Sequence, residues 1–206
     1  MKIKICGLKH RQNIETVLSL CPDHIGLIFY PGSKRFVGDD AALASWLRPI
    51  KEIGKTGVFV NQKEAVILEK VTRYGLDYVQ LHGTETAAFC SRIHAAVPVI
   101  KAFPMHVAFD FKALEAYVDT CSYFLFDTPS ADYGGSGRPF DWTLLQQQEV
   151  PLPFLLSGGI GPGDVTRIKQ FRHPAFAGID LNSRFEQSPG IKNYNLLNEF
   201  IDEIRN

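Results

Sequence analysis

Excess charge is the first thing this chain lacks: 22 Lys and Arg balance 22 Asp and Glu over 206 residues. With no Lys/Arg run either, a nucleic-acid surface has no electrostatic footprint. Near-zero net charge implies modest solubility around neutral pH. Long apolar runs are missing too, and no window approaches the roughly 18 consecutive apolar residues of a membrane span. The N-terminus reads as a strand from Lys2, not as a basic segment followed by a leader-like apolar stretch. The four cysteines are Cys6, Cys21, Cys90 and Cys121, and none forms C-x-x-C, so zinc and thioredoxin-type readings fail. H-E-x-x-H, G-x-G-x-x-G and the P-loop are absent. So is G-x-S-x-G, because Gly134-Gly135-Ser136-Gly137 has its serine one place early. The expectation is a cytoplasmic protein with free thiols, no metal, no membrane and no nucleic-acid partner.

What is present is a regular alternation. Short aliphatic runs, buried on both faces by their unbroken hydrophobicity, fall at Lys2–Cys6, His24–Phe29, Lys55–Val60, Tyr78–Leu81, Val99–Phe103, Tyr123–Asp127, Phe154–Ser157 and Phe176–Asp180. Each is followed by a helical pattern, and the unit recurs roughly every 20 to 30 residues, the length of one strand, loop and helix. Eight such units argue for a single α/β domain over residues 1–206, a (β/α)8 TIM barrel, rather than an open sheet. At this length the barrel is lean, since about 250 residues is typical. Helix starts are expected at Asp39-Asp40, Asn61, Thr84-Glu85 and Gly163-Asp164, with Gly75 as a C-terminal stop and a last helix over Ile191–Ile204. Pro129–Arg138, with three glycines, is a lid candidate. The sequence leaves Trp46, Phe171 and Phe176 open between the barrel and an exposed patch; a monomer is expected.

Barrels of this kind place chemistry at the C-terminal strand ends. Cys6 closes the first strand; an arbitrary cysteine is a small buried hydrophobe, but at a strand end its thiol can face a ligand as base or nucleophile. Asp127 closes the sixth strand after four apolar residues, where a carboxylate is costly unless it faces solvent or ligand. It either caps the loop with Thr128 or donates a proton as a carboxylic acid. Strands one and six are not neighbours, so the two groups flank anything lying across the mouth. Ser157-Gly158-Gly159-Ile160 and Gly178–Ser183 follow strands seven and eight, the recurrent phosphate position of the fold. Gly158, Gly159, Gly178, Asp180, Asn182 and Ser183 are the candidate phosphate contacts, through backbone N–H groups near a helix start. Arg35, in the loop after strand two, is either a solvated charge or a fork for a carboxylate. His82 ends strand four and Gln80 points the same way at period two; both are candidate substrate contacts. Lys101 lies within strand five and is open to a place in a polar layer inside the barrel.

The ordered set Lys4-Ile5-Cys6-Gly7-Leu8, Gln80-Leu81-His82-Gly83, Phe126-Asp127, Gly134-Gly135-Ser136-Gly137, Leu156-Ser157-Gly158-Gly159-Ile160 and Ser188-Pro189-Gly190-Ile191-Lys192 resembles the phosphoribosylanthranilate isomerase family over the whole chain. The resemblance implies an Amadori rearrangement of a small phosphosugar, N-(5′-phosphoribosyl)anthranilate, to 1-(2-carboxyphenylamino)-1-deoxyribulose 5-phosphate in tryptophan biosynthesis, without a cofactor. It implies Asp127 as general acid, Cys6 as general base, Arg35 on the anthranilate carboxylate and the strand-seven and strand-eight loops on the phosphate. Asn182-Ser183-Arg184 departs from the family's Ser-Ser-Gly, and Lys9 and His10 add charge to the first loop. The competing readings are another phosphosugar barrel, of epimerase or indole-glycerol-phosphate synthase type, and a phosphate-ligand binding module. An epimerase would want strand-end histidines for metal and two aspartates; a synthase would want lysine and glutamate acids and bases within the barrel, and although Lys101 is available no glutamate ends a strand; a binding module would leave Cys6 and Asp127 without a joint purpose.

Overall fold

The computed structural model describes residues 1–129 and 140–206. Most of the Pro129–Arg138 lid candidate, including Gly134-Gly135-Ser136-Gly137, lies outside the described residues. Eight parallel strands close a barrel in chain order: β1 (Lys2–Ile5), β2 (His24–Ile28), β3 (Gly54–Phe59), β4 (Tyr78–Leu81), β5 (Val99–Pro104), β6 (Tyr123–Asp127), β7 (Phe154–Leu156) and β8 (Phe176–Leu181). β1 closes on β8 with Lys4 opposite Asp180. A short antiparallel hairpin, β9 (Glu186–Ser188) and β10 (Ile191–Lys192), follows β8. The outer layer comprises α1 (Arg11–Leu18), α2 (Ala41–Leu47), α3 (Glu64–Tyr74), α4 (Ala87–His94), α5 (Thr143–Gln146), α6 (Val165–Gln170) and α7 (Tyr194–Arg205), with a 3-10 helix over Phe111–Thr120 between β5 and β6.

Strand alternation sorts side chains into two environments. Ile3, Ile5, Leu27, Phe59, Val79, Leu81 and Phe126 face outward into one large apolar layer beneath the helices. Ile100, Ala102, Leu125 and Leu155 form a small apolar plug with Tyr78, Tyr123 and Ala177. Lys4, Cys6, Gln80, Asp127 and Asp180 share the inward alternation near the C-terminal ends. Lys101 is out of phase with Ile100 and Ala102. It does not join a layer inside the barrel: its ammonium leaves through the outer face to Gly83 O at 2.7 Å and Glu85 Oε2 at 3.0 Å. Phe171 is buried in the outer layer, with Trp46 and Phe176 packed against it.

Caps decide where the helices begin. Asp40 accepts from the Leu43 amide at 2.9 Å and starts α2, as its sequence suggests. Asn61 is not a cap: it takes a left-handed φ of 48°, and its Oδ1 accepts from the Thr84 amide, tying the end of β3 to the loop after β4. Its helix, α3, starts at Glu64 and ends at left-handed Gly75. Glu85 likewise turns away from its helix to receive the Asn61 and Gly83 amides, and Thr86 caps α4. α7 starts later than its apolar pattern suggests, because Asn193 caps it and Ile191-Lys192 is drawn into β10.

Gly178 lies inside β8, opposite Lys2 and three residues before the strand's C-terminal end, where β7 and β8 shift register. A Cβ there would sit 2.1 Å from the Lys2 carbonyl oxygen. Its glycine serves strand approach, and it is separated from the other candidate phosphate contacts. Gly178→Ala should therefore destabilise the barrel by at least the roughly 1–3 kcal/mol typical of overpacking. KM of the remaining folded enzyme should be unaltered, which denaturant melts and steady-state kinetics together check.

Candidate active site

The C-terminal strand ends enclose a cleft that opens to solvent at the barrel mouth. Cys6, Arg35, Gln80, His82, Asp127, Gly158, Gly159, Asp180, Asn182 and Ser183 all line it; Gly178 does not. Ten of the eleven residues singled out from the sequence thus meet around one space, although they come from five strands and a loop.

Cys6 directly follows β1, and Gly7 takes a φ of +78° so that the chain can turn between Asn182 and Arg35. A Cβ there would lie 2.5 Å from Asn182 Oδ1 and 2.7 Å from Arg35 Cδ. Glycine is also needed at Gly26, where a Cβ would lie 2.7 Å from Cys6 Sγ. The thiol is buried, and burial pushes its pKa upward; the neighbouring Lys4 and Lys192 charges pull it down, and Asp180 pushes it up again. Lys4 is fully buried and pairs with Asp180 Oδ1 at 2.8 Å. Burial also raises the Asp180 carboxyl, against the pull of Lys4. Asp180 accepts a second bond from Ser157 Oγ at 3.4 Å. Both side-chain oxygens of Asp180 are thus engaged within the protein, and the side chain anchors Lys4 beneath Cys6.

On the far side, Asp127 Oδ1 accepts from the Thr128 amide at 2.7 Å, and Oδ2 lies 3.2 Å from His82 Nε2. Gln80 Nε2, which can only donate, faces His82 Nδ1 at 2.8 Å. Nδ1 must accept, which places the neutral ring's hydrogen on Nε2, toward Asp127. Gln80 and His82 thus act on the carboxylate in series. The loop after β7 holds Gly158 and Gly159 at φ values of +82° and +74°. Their amides have no hydrogen-bond partner among the described residues. A pair of free amides at a cleft wall suits an anion. Asn182 Oδ1 accepts from Lys192 at 2.8 Å, which leaves its amide NH2 as the donor end. Arg184 reaches back to the β7 loop, its Nε 3.2 Å from a Cβ built on Gly161, and brings charge near both glycine-bearing loops.

Arg35 is more constrained than a free fork. Its Nε and Nη2 donate to Glu186 at 2.8 and 2.6 Å, a bidentate pair. Glu186 also receives Lys192 Nζ at 2.8 Å. Lys9, unexplained by the sequence, lies over Gly190 and reaches the Lys34 carbonyl at 3.4 Å, pinning the first loop to the second. Sequence reasoning missed Lys4, Glu186 and Lys192 as members of the site. Lys4 was detectable, since period two puts it on the Cys6 face of β1; Glu186 and Lys192 sit on a hairpin that no strand-end rule reaches. Among the described residues no group of three His, Cys, Asp or Glu is placed to hold a metal ion.

Residues 3–203 match the family model described as N-(5'phosphoribosyl)anthranilate (PRA) isomerase. The chain belongs to the phosphoribosylanthranilate isomerase family. It is 45% identical to the N-(5'-phosphoribosyl)anthranilate isomerase of Parabacteroides distasonis, over 99% of this chain and 93% of that one. The crystal structure of phosphoribosyl anthranilate isomerase from Thermotoga maritima matches with a TM-score of 0.84 at 30% identity, covering 100% of this chain and 98% of that one. A further phosphoribosyl anthranilate isomerase, solved with reduced 1-(o-carboxyphenylamino)-1-deoxyribulose 5-phosphate, matches with a TM-score of 0.81 at 27% identity, covering 100% and 98%. The chain is accordingly a phosphoribosylanthranilate isomerase, an enzyme of tryptophan biosynthesis that performs the Amadori rearrangement by acid–base chemistry. No helix among its described residues is long and apolar enough to cross a membrane.

Proposed function

We propose that Asp127 and Cys6 divide the isomerase reaction between them, on one phosphosugar stretched across the barrel mouth. The observation that carries this reading is their placement on β6 and at the end of β1, within one cleft whose third side is the Gly158-Gly159 turn. Asp127, as the acid, gives its proton to the furanose ring oxygen. The C1′–O bond breaks, and the aniline nitrogen lone pair forms the protonated Schiff base. Cys6, as thiolate, removes the C2′ proton to give the enolamine, which tautomerises to the ketone. Protons are only moved, so atoms and electrons balance within the substrate. Lys4 and Lys192 supply the positive charge that a buried thiolate needs. Arg35 receives the anthranilate carboxylate; Gly158, Gly159, Asn182 and Ser183 receive the phosphate. This reading includes a cytoplasmic monomer; among the described residues the exposed large apolar side chains are Met1, Phe36, Val66, Val107 and Tyr194.

Turnover of N-(5′-phosphoribosyl)anthranilate by the purified protein is the direct test of the substrate, and its absence would overturn the reading. The phosphate end is tested by Gly159→Asp. The variant puts a carboxylate beside the free amides and strains a left-handed position. KM should rise steeply, and inhibition by inorganic phosphate should vanish. Retention of wild-type phosphate inhibition would move the anion elsewhere.

A further inference from the structure

The guanidinium of Arg35 has two usable edges, and the protein occupies one of them. Nε and Nη2 form the side edge, and both donate to the Glu186 carboxylate, at 2.8 and 3.0 Å from Nε and 2.6 Å from Nη2. Five N–H groups are available on an arginine. Two are used here, and Nη1 has no hydrogen-bond partner among the described residues. The end edge, Nη1 with the outer hydrogen of Nη2, is therefore free for a second planar carboxylate. Glu186 is itself held from behind: the Gly190 amide donates to its Oε1 at 3.1 Å and Lys192 Nζ at 2.8 Å. Its side chain is 4% exposed, and that of Lys192 is fully buried. The hairpin β9–β10 thus works as a bracket, closed by buried charge, that grips an arginine from another loop 151 residues away in sequence.

We infer that Glu186 is a positioning residue that sets carboxylate specificity: it turns Arg35 so that the end edge alone meets the substrate's anthranilate carboxylate. This rests on the reading of Arg35 given above. The physical case is one of orientation against field. Removing the Glu186 charge raises the positive potential near Arg35 and Lys192, and by charge alone would tighten an anionic ligand. Removing its grip frees a long side chain with many rotamers, so the two parallel bonds to a ligand carboxylate must be formed at greater entropic cost. The two effects have opposite signs, so one measurement separates them.

The experiment compares two inhibitors, the reduced product analogue and its counterpart lacking the ring carboxylate, and reads the ratio of their inhibition constants as the carboxylate preference. In Glu186→Gln the preference should fall by roughly tenfold or more, the scale expected for losing a bidentate charged contact. The analogue lacking the carboxylate keeps its phosphate and should bind at least as tightly as to wild type. Glu186→Asp keeps the charge and the Lys192 partner but is one methylene too short to hold both nitrogens; it should move the preference the same way. It also serves where Glu186→Gln folds poorly. Arg35→Lys keeps the cation without a second edge and should lose most of the preference. A preference that is unchanged or increased in both Glu186 variants would overturn the inference while leaving Arg35 in place. A preference that survives Arg35→Ala would overturn the Arg35 reading itself, and the role of Glu186 with it.

Discussion

Cys6→Ser should lower kcat by about 10²–10⁴-fold, the usual range for a general base. The hydroxyl keeps the shape of the site but holds its proton far above any pH at which the enzyme works. Nothing else in the cleft replaces the thiolate. Lys4 is committed to Asp180, and Lys192 to Glu186 and Asn182. The fold should survive, since serine is smaller than cysteine and the contact with Gly26 only loosens. Binding of the reduced product analogue should change little, because Cys6 acts on a C–H bond and not on the phosphate or carboxylate. Wild-type turnover should rise with pH as the thiolate forms. Burial pushes the thiol up while Lys4 and Lys192 oppose it, so this rise should extend above the range of a free cysteine. It should be missing from the residual activity of Cys6→Ser. Near-normal turnover by the variant, or an unchanged pH profile, would remove Cys6 from the reaction.

The barrel and the main catalytic candidates were legible in the sequence for a simple reason. A strand buried on both faces must be aliphatic, so a polar residue ending such a strand stands out, as Cys6, His82 and Asp127 do. Helix boundaries were less legible where a polar side chain had a tertiary use. Asn61 and Glu85 look like helix starters but bond across to neighbouring loops. Gly178 shows the converse error. Its place in a glycine-bearing run suggested an anion loop, whereas its side of the strand is closed by the Lys2 carbonyl. Lys101 was one residue out of phase with the inward face, and alternation decides between the two faces absolutely. The bracket around Arg35 was hidden because a salt bridge spanning 151 residues leaves no local pattern. Arg35 reads as a free fork until its partner is seen.

Asp127→Asn should also cost about 10²–10⁴-fold in kcat, but at a different step, and that difference is the stronger test of the mechanism. An amide cannot protonate the ring oxygen, so the variant should stall before the sugar opens. Cys6→Ser should stall after it, with the ring-opened Schiff base accumulating. Rapid-quench analysis of single turnovers separates the two: Schiff base in Cys6→Ser, intact furanose in Asp127→Asn. The hydrogen-bond chain explains why the asparagine should fit. Its Oδ1 keeps the Thr128 amide, but its NH2 would meet the N–H of His82 Nε2. The chain can reverse: the Gln80 amide turns so that Oε1, now a buried acceptor without a partner, takes a hydrogen from His82 Nδ1. Nε2 then accepts from the asparagine. Stability should therefore stay close to wild type, as a thermal melt would show, and the histidine tautomer should switch, as ring-nitrogen NMR shifts would report. Schiff base accumulating in Asp127→Asn would mean that ring opening has another acid, and His82, the group in contact with Asp127, would take its place as the candidate.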